Sequence, residues 1–231
     1  TQARVTVTLG TGSNLTGINI FQDYLITRCD NTCSLSNSNL NTADNNGDAD
    51  ISAIYSEASG AVTVAAGKSL FIPASNTYAP AGNVTVGGTF TNNGTYTTGT
   101  ETLTLNGTST HNFKPGSNIY TVIINGSGST YTLQAALTVT NNLTITAGTL
   151  DTKSGSNYAI TVGNNYSNSG TFTARSGVVT FNATDTGNTV TSGSSSFYDL
   201  TFSGSGGVWT LQDATTVSNV LTITNGELSL G

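Results

Sequence analysis

The sequence predicts an all-β chain wound into a parallel β-solenoid. Three observations point there. The composition is rich in Thr, Ser, Asn and Gly and poor in helix formers, short alternating strands recur along the chain, and one long unit occurs twice. Of 231 residues only 8% are charged and 35% are hydrophobic, and there is no Met. An ordinary globular domain is about 25% charged. Disordered chains are also poor in hydrophobic residues, but they concentrate charge and lack β-branched residues, and this chain does neither. β-branched residues fit the half-buried pleated surface of a sheet.

The alternation is local and regular. Thr102-Leu103-Thr104-Leu105, Leu137-Thr138-Val139-Thr140 and Leu143-Thr144-Ile145-Thr146 each place an apolar residue on one face and Thr on the other. Gly and Asn separate the runs, and only three prolines occur, Pro73, Pro80 and Pro115. Asn-Gly pairs at Asn93-Gly94, Asn106-Gly107 and Asn125-Gly126 suit either solenoid corners or two-residue hairpins.

The long unit favours the solenoid. Residues 117–150 align without gaps to residues 195–228, with about half the positions identical. Both copies share Tyr-x-x-x-x-x-Gly-Ser-Gly, then Thr-Leu-Gln-x-Ala, then Val-x-Asn-x-Leu-Thr-Ile-Thr-x-Gly-x-Leu. The segment from Val86 pairs more loosely with that from Val162, and the offset changes from 76 to 78 residues near 187–194. Stacked coils set like residues over like, which explains recurrence of identity rather than polarity alone. The alternative is a tandem array of β-sandwich modules, for which a unit of about 76 residues is short. The domain reading is an amino-terminal β region, 1–80, followed by the two-copy repeat, 81–231, with copies at about 86–161 and 162–231.

Residues 83–231, through GTFTNNGTYTTGTETLTLNGT, LTVTNNLTITAGTLD and FYDLTFSGSGG, resemble a family of large exported bacterial proteins built from tandem Thr/Asn/Gly strand motifs. The resemblance implies a β-helical, adhesin-like passenger at a cell surface. The chain opens Thr-Gln-Ala-Arg rather than with Met, which fits a processed, exported form.

The first eighty residues carry three features of their own. Asp44, Asn46, Asp48 and Asp50 alternate in TADNNGDADIS, the spacing with which a loop wraps a hard cation such as calcium. The loop departs from the EF-hand pattern, having Ala49 where Gly is wanted and Tyr55 where an acid is wanted, and a plain polar turn is the competing reading. Cys29 and Cys33 suit a local disulfide in an exported chain, with free thiols as the alternative. A metal site there lacks further ligands. Arg4, Val5, Thr6, Val7, Thr8 and Leu9 form a clean alternating strand. It either pairs within its own domain or reaches a neighbouring subunit, because the final ELSLG matches a point where the first copy continues. Repeated head to tail, such a contact builds an open filament.

Several functions are disfavoured. Six scattered basic residues and a net charge of −6 provide no stripe for nucleic acid. No apolar run approaches the roughly 18 residues that cross a bilayer. Acids outside the Asp44 cluster are isolated and are not kept between the copies, and His111 has no partner at informative spacing, so no catalytic centre is expected. Aromatics recur at matched sites (Tyr120 with Tyr198, Tyr131 with Trp209), as core packing requires, although a sugar-stacking face is an alternative. An ice-binding face needs a flat Thr array, which the uneven spacing argues against. Eight Asn-x-Ser/Thr sequons (Asn14, Asn83, Asn93, Asn106, Asn125, Asn142, Asn165 and Asn182) do not discriminate, given this composition. The expectation is a non-enzymatic extracellular or cell-surface structural protein, a filament subunit whose partners are copies of itself. The alternative is an adhesin that binds glycan or another cell.

Overall fold

In a computed structural model of the chain, residues 61–231 are described throughout. Of the first sixty, only the backbones of seven short strands are described: Val7–Leu9, Ile20–Phe21, Ile26–Cys29, Cys33–Leu35, Leu40–Asn41, Ala49–Asp50 and Tyr55–Ser56. Every strand pairing is parallel and no helix occurs among the described residues, so the chain is a β-solenoid.

Each turn has three sides, here A, B and C in chain order. On side A the inward column runs Val62, Val84, Leu103, Val122, Leu143, Tyr166, Val190, Leu211 and Leu230, in steps of 19 to 24 residues over about eight turns. Side B carries Leu70–Ile72, Phe90–Asn92 and Thr110–Lys114. The long strands Thr121–Leu133 and Leu143–Asp151 bend from side A onto side B. Side C stacks Leu137–Val139, Ile160–Val162, Val178–Phe181, Phe197–Phe202 and Val217–Ile223. Pairing runs across residue 80 without interruption, Val62–Val64 joining Val84–Val86.

The alternation read from the sequence is what builds this prism. Up to Trp209 the alternating apolar members of the runs point inward and are buried, giving one continuous core from Val62 to Trp209. The first half is aliphatic with Tyr78, Phe90, Tyr96, Phe113 and Tyr131, and the second holds an aromatic cluster of Tyr166, Phe172, Phe181, Phe197, Phe202 and Trp209. The Thr members point outward. On side C, Thr138, Thr161, Thr180, Thr201 and Thr222 form an unbroken ladder. The uneven spacing therefore resides in the corners and leaves the sides regular, contrary to the expectation from coil length.

The sequence repeat is not the stacking unit. Leu103 lies on side A and its counterpart 76 residues on, Val179, lies on side C. Phe90 on side B likewise corresponds to Tyr166 on side A. One copy thus advances three turns and two further sides, and equivalent residues of the two copies face different directions. Matched aromatics do not stack on each other as the sequence had suggested: Tyr131 lies between His111 and Leu150 and Trp209 between Asn188 and Leu228, while Tyr120 and Tyr198 are only part-buried rather than in the core.

The shared Gly-Ser-Gly has a steric origin. A Cβ on Gly204 would lie 1.6 Å from the Ala183 carbonyl oxygen of the preceding turn, and one on its counterpart Gly126 would lie 2.1 Å from that of Gly107. The second glycines, Gly128 and Gly206, have φ of 72° and 81°, which L side chains rarely adopt. The first glycine admits the neighbouring backbone and the second turns the corner.

Candidate functional site

Three groupings of polar or exposed apolar chemistry stand out from the regular prism. The first is a buried amide network, present once in each copy. Asn92 is 1% exposed and donates through Nδ2 to Pro115 O at 2.8 Å and Ser117 Oγ at 2.9 Å, while its Oδ1 accepts from Gly94 N at 3.0 Å. Asn168 repeats it, donating to Ser192 O at 2.8 Å and Ser195 Oγ at 3.0 Å and accepting from Gly170 N at 3.0 Å. Each serine hydroxyl then accepts a backbone N–H, from Tyr96 or Phe172, at 3.1 Å. The amide stitches one corner to the next turn and fixes their register, so aromatic-x-Asn-x-Gly-x-aromatic in both copies is a structural device.

The second is an ion pair on the corner between sides B and C. Arg175 clasps Asp151 through two bonds of 2.9 Å, and Lys153 N donates to Asp151 Oδ1 at 2.9 Å. The Arg175 guanidinium, aided by that N–H and opposed by partial burial, holds the Asp151 carboxyl below the ordinary aspartate range. The stability this pair contributes is complete above the ordinary pKa of about 3.9 and is lost as pH falls through the lower folded value. The melting temperature is therefore expected to drop on acidification below about pH 4. Asp151→Asn should flatten that segment of the profile in a calorimetric pH series; an unchanged slope would reject the assignment. Asp213 does related work on another corner. Burial raises its pKa, but N–H donation from Ser192 and Gly193, at 2.8 and 2.7 Å, outweighs that and lowers it overall.

The third grouping is the final turn. Among the described residues, Val217–Ile223 and Glu227–Leu230 each pair on one side, with Phe197–Phe202 and Val208–Leu211. Val220, Leu221, Ile223 and Leu230 are 49%, 50%, 50% and 79% exposed, the large exposed hydrophobics among the described residues. The same positions in the first copy behave oppositely. Leu143 and Ile145, counterparts of Leu221 and Ile223, are fully buried beneath the strand Tyr166–Asn168. Leu221 and Ile223 are thus core-type side chains placed in the last described turn. Three acids border this edge, Asp199, Asp213 and Glu227, and Asn219 Nδ2 and Val220 N both donate to Asp199 Oδ1, at 2.8 and 3.1 Å.

The sites expected from the sequence fall mostly elsewhere. In the alternating segment, Val7–Leu9 pairs in parallel with Ile26–Cys29 of its own chain, whereas Arg4, Val5 and Thr6 lie outside the described residues. Cys29 closes one strand and Cys33 opens the next; their side chains, and with them the disulfide, lie outside what is described. Asp44, Asn46 and Asp48 lie outside as well, while Asp50 ends a strand whose backbone pairs with Phe71. Among the described residues no group of three or more His, Cys, Asp or Glu gathers. His111 stands within the strand Thr110–Lys114, its ring 5.2 Å from that of Tyr131 and its Nε2 3.2 Å from Ser109 Oγ. The Asn168 network had no readable signal beyond the motif itself, because burial of an amide is invisible in sequence.

No family model, no curated protein and no solved structure matches this chain.

Proposed function

We propose that this protein is a non-enzymatic structural element of the cell surface or extracellular space, a subunit of a filament that grows head to tail by β-strand pairing. The observation that supports the reading is the parallel ladder of about eight turns, with like strands stacked in register on every side. The few charges and the interlocked corners suit a rigid rod, and the resemblance to exported repeat proteins is consistent with display outside the cell. A structural calcium ion at Asp44, Asn46, Asp48 and Asp50, bracing an amino-terminal loop, belongs to the same proposal.

Electron microscopy of the chain with and without residues 1–10 tests it. Regular filaments lost on deletion are expected. Isolated short rods in both samples would retire the filament and favour the adhesin reading. The corner that follows Leu143–Asp151 is the observation that speaks for that second reading. There the partly exposed Tyr158 ring lies 5.9 Å beneath the Lys153 ammonium, next to Gln134, an arrangement with the chemistry to meet a sugar.

A further inference from the structure

The stacking of side B gathers three basic residues that the sequence scatters, Lys114, Lys153 and Arg175. Phe113 pairs with Leu133, and Gln134 N donates to Phe113 O at 2.8 Å, which sets Gln134 beside Lys114. Thr132 pairs with Asp151 and Asp151 with Thr173, so Lys153 and then Arg175 follow Gln134 on successive turns. The side chains keep that order. Lys153 Nζ donates to Gln134 Oε1 at 2.5 Å, and Gln134 Nε2 donates to Asn112 Oδ1 at 2.8 Å. Lys114 Nζ donates to Asn93 Oδ1 at 2.5 Å. Among the described residues these two ammonium groups meet amides and no carboxylate. The column therefore sets three cations against the single carboxylate of Asp151, in a chain whose net charge is −6. Glu101, Asp185, Asp199, Asp213 and Glu227 lie off it. Lys153 and Arg175 also turn their corner with φ of 70° and 52°, a conformation that Gly116 supplies on the turn of Lys114. The cations are held there at a backbone cost that glycine would avoid.

We propose that this column binds an acidic polysaccharide whose chain lies along the solenoid axis. Successive turns are about 4.8 Å apart, close to the advance of one pyranose in an extended chain. Lys153 and Arg175 thus stand one sugar apart, and Lys114 stands two sugars from Lys153. Carboxylate or sulfate groups at those intervals pair with the cations, and the Gln134 and Asn112 amides between them meet ring hydroxyls. Nε and Nη2 of Arg175 hold Asp151, which leaves Nη1 for the ligand, and the Arg175 side chain is 42% exposed. Tyr158 offers a ring face to a sugar beside Lys153. A polymer fits better than a small anion, because the cations are spaced along a line and do not converge on one point. This inference rests on the glycan reading of the Lys153–Tyr158 corner and adds the charge and direction of the ligand.

Titration calorimetry of the full 231-residue chain with polygalacturonate, dextran sulfate and unmodified dextran tests this. Binding to at least one acidic polymer is expected, weakening as salt rises, with none to dextran. Lys114→Gln combined with Lys153→Gln should weaken that binding about tenfold or more, while the melting temperature stays that of the wild type. Lys114→Gln alone, which leaves the Lys153 corner untouched, should cost about threefold, and Lys68→Gln, off the column, should change the affinity less than about twofold. Undiminished affinity in the double variant, or an equal loss from Lys68→Gln, overturns the column. An oligothymidylate bound as tightly as the acidic polymers overturns the assignment to a sugar chain. Dextran bound as tightly as they are overturns the acidic class and leaves the glycan reading standing. Failure of all three polymers to bind overturns the glycan reading itself.

Discussion

Trp209→Ala is expected to lower stability by about 3–5 kcal/mol, the range for truncating a fully buried large aromatic. Trp209 is 0% exposed, its ring lies 5.2 Å from that of Phe202, and Gly207 and Gly226 are held close against it. Alanine leaves a cavity that these stacked backbones cannot close without shifting a whole turn. For a chain of this size the loss corresponds to roughly 10 °C in melting temperature. Solenoid stability is close to a sum of neighbour terms, so the damage should be local. Hydrogen exchange should show Val208–Leu211 and Glu227–Leu230 losing protection while Val62–Val64 keeps it. The Trp209 Nε1–H is buried without a hydrogen-bond partner. Trp209→Phe removes that orphan donor along with some volume and should cost less than half as much as alanine. A loss under about 1 kcal/mol for the alanine variant would mean that the carboxy-terminal turns do not depend on this side chain.

Asn168→Ala is expected to cost about 2–4 kcal/mol, since it leaves Ser192 O, Ser195 Oγ and Gly170 N–H without their amide partner in a buried corner. Asn168→Asp retains only the acceptor role towards Gly170 and should not rescue. The Asn92 network is its counterpart on a different side, three turns and two sides away, at about 15 Å or more along the axis. At that separation the two losses should add, and a double variant measured by denaturant unfolding reads this directly. A single-variant cost within about 0.5 kcal/mol of zero would show the network to be incidental.

Much of the fold was legible because the solenoid is built from local signals. Thr138, Thr161 and Thr180 each sit between two apolar residues, and that alternation alone assigns strand and inward face. The glycines of Gly-Ser-Gly announced corners, and their recurrence at Gly126 and Gly204 announced an array. The calcium loop and the cysteine pair lie where the structure describes no side chains, so they remain sequence proposals. The place of His111 in the strand Thr110–Lys114 was not legible, because a single polar residue among Thr and Asn carries no periodic signal of its own.

The sequence by itself determined the all-β class, the inward and outward members of each strand, and the two copies of one unit. Only the tertiary structure decided the phase between that unit and the turn. Alternation depends on neighbouring residues alone, but the residues spent in each corner depend on the turn beneath. Eleven sides then fill one copy, and equivalents such as Leu103 and Val179 face different ways. The same stacking decided which core-type side chains are left uncovered. Leu143 and Leu221 occupy matching places in the repeat, yet Leu143 is buried by the following turn and Leu221, in the last described turn, is half exposed.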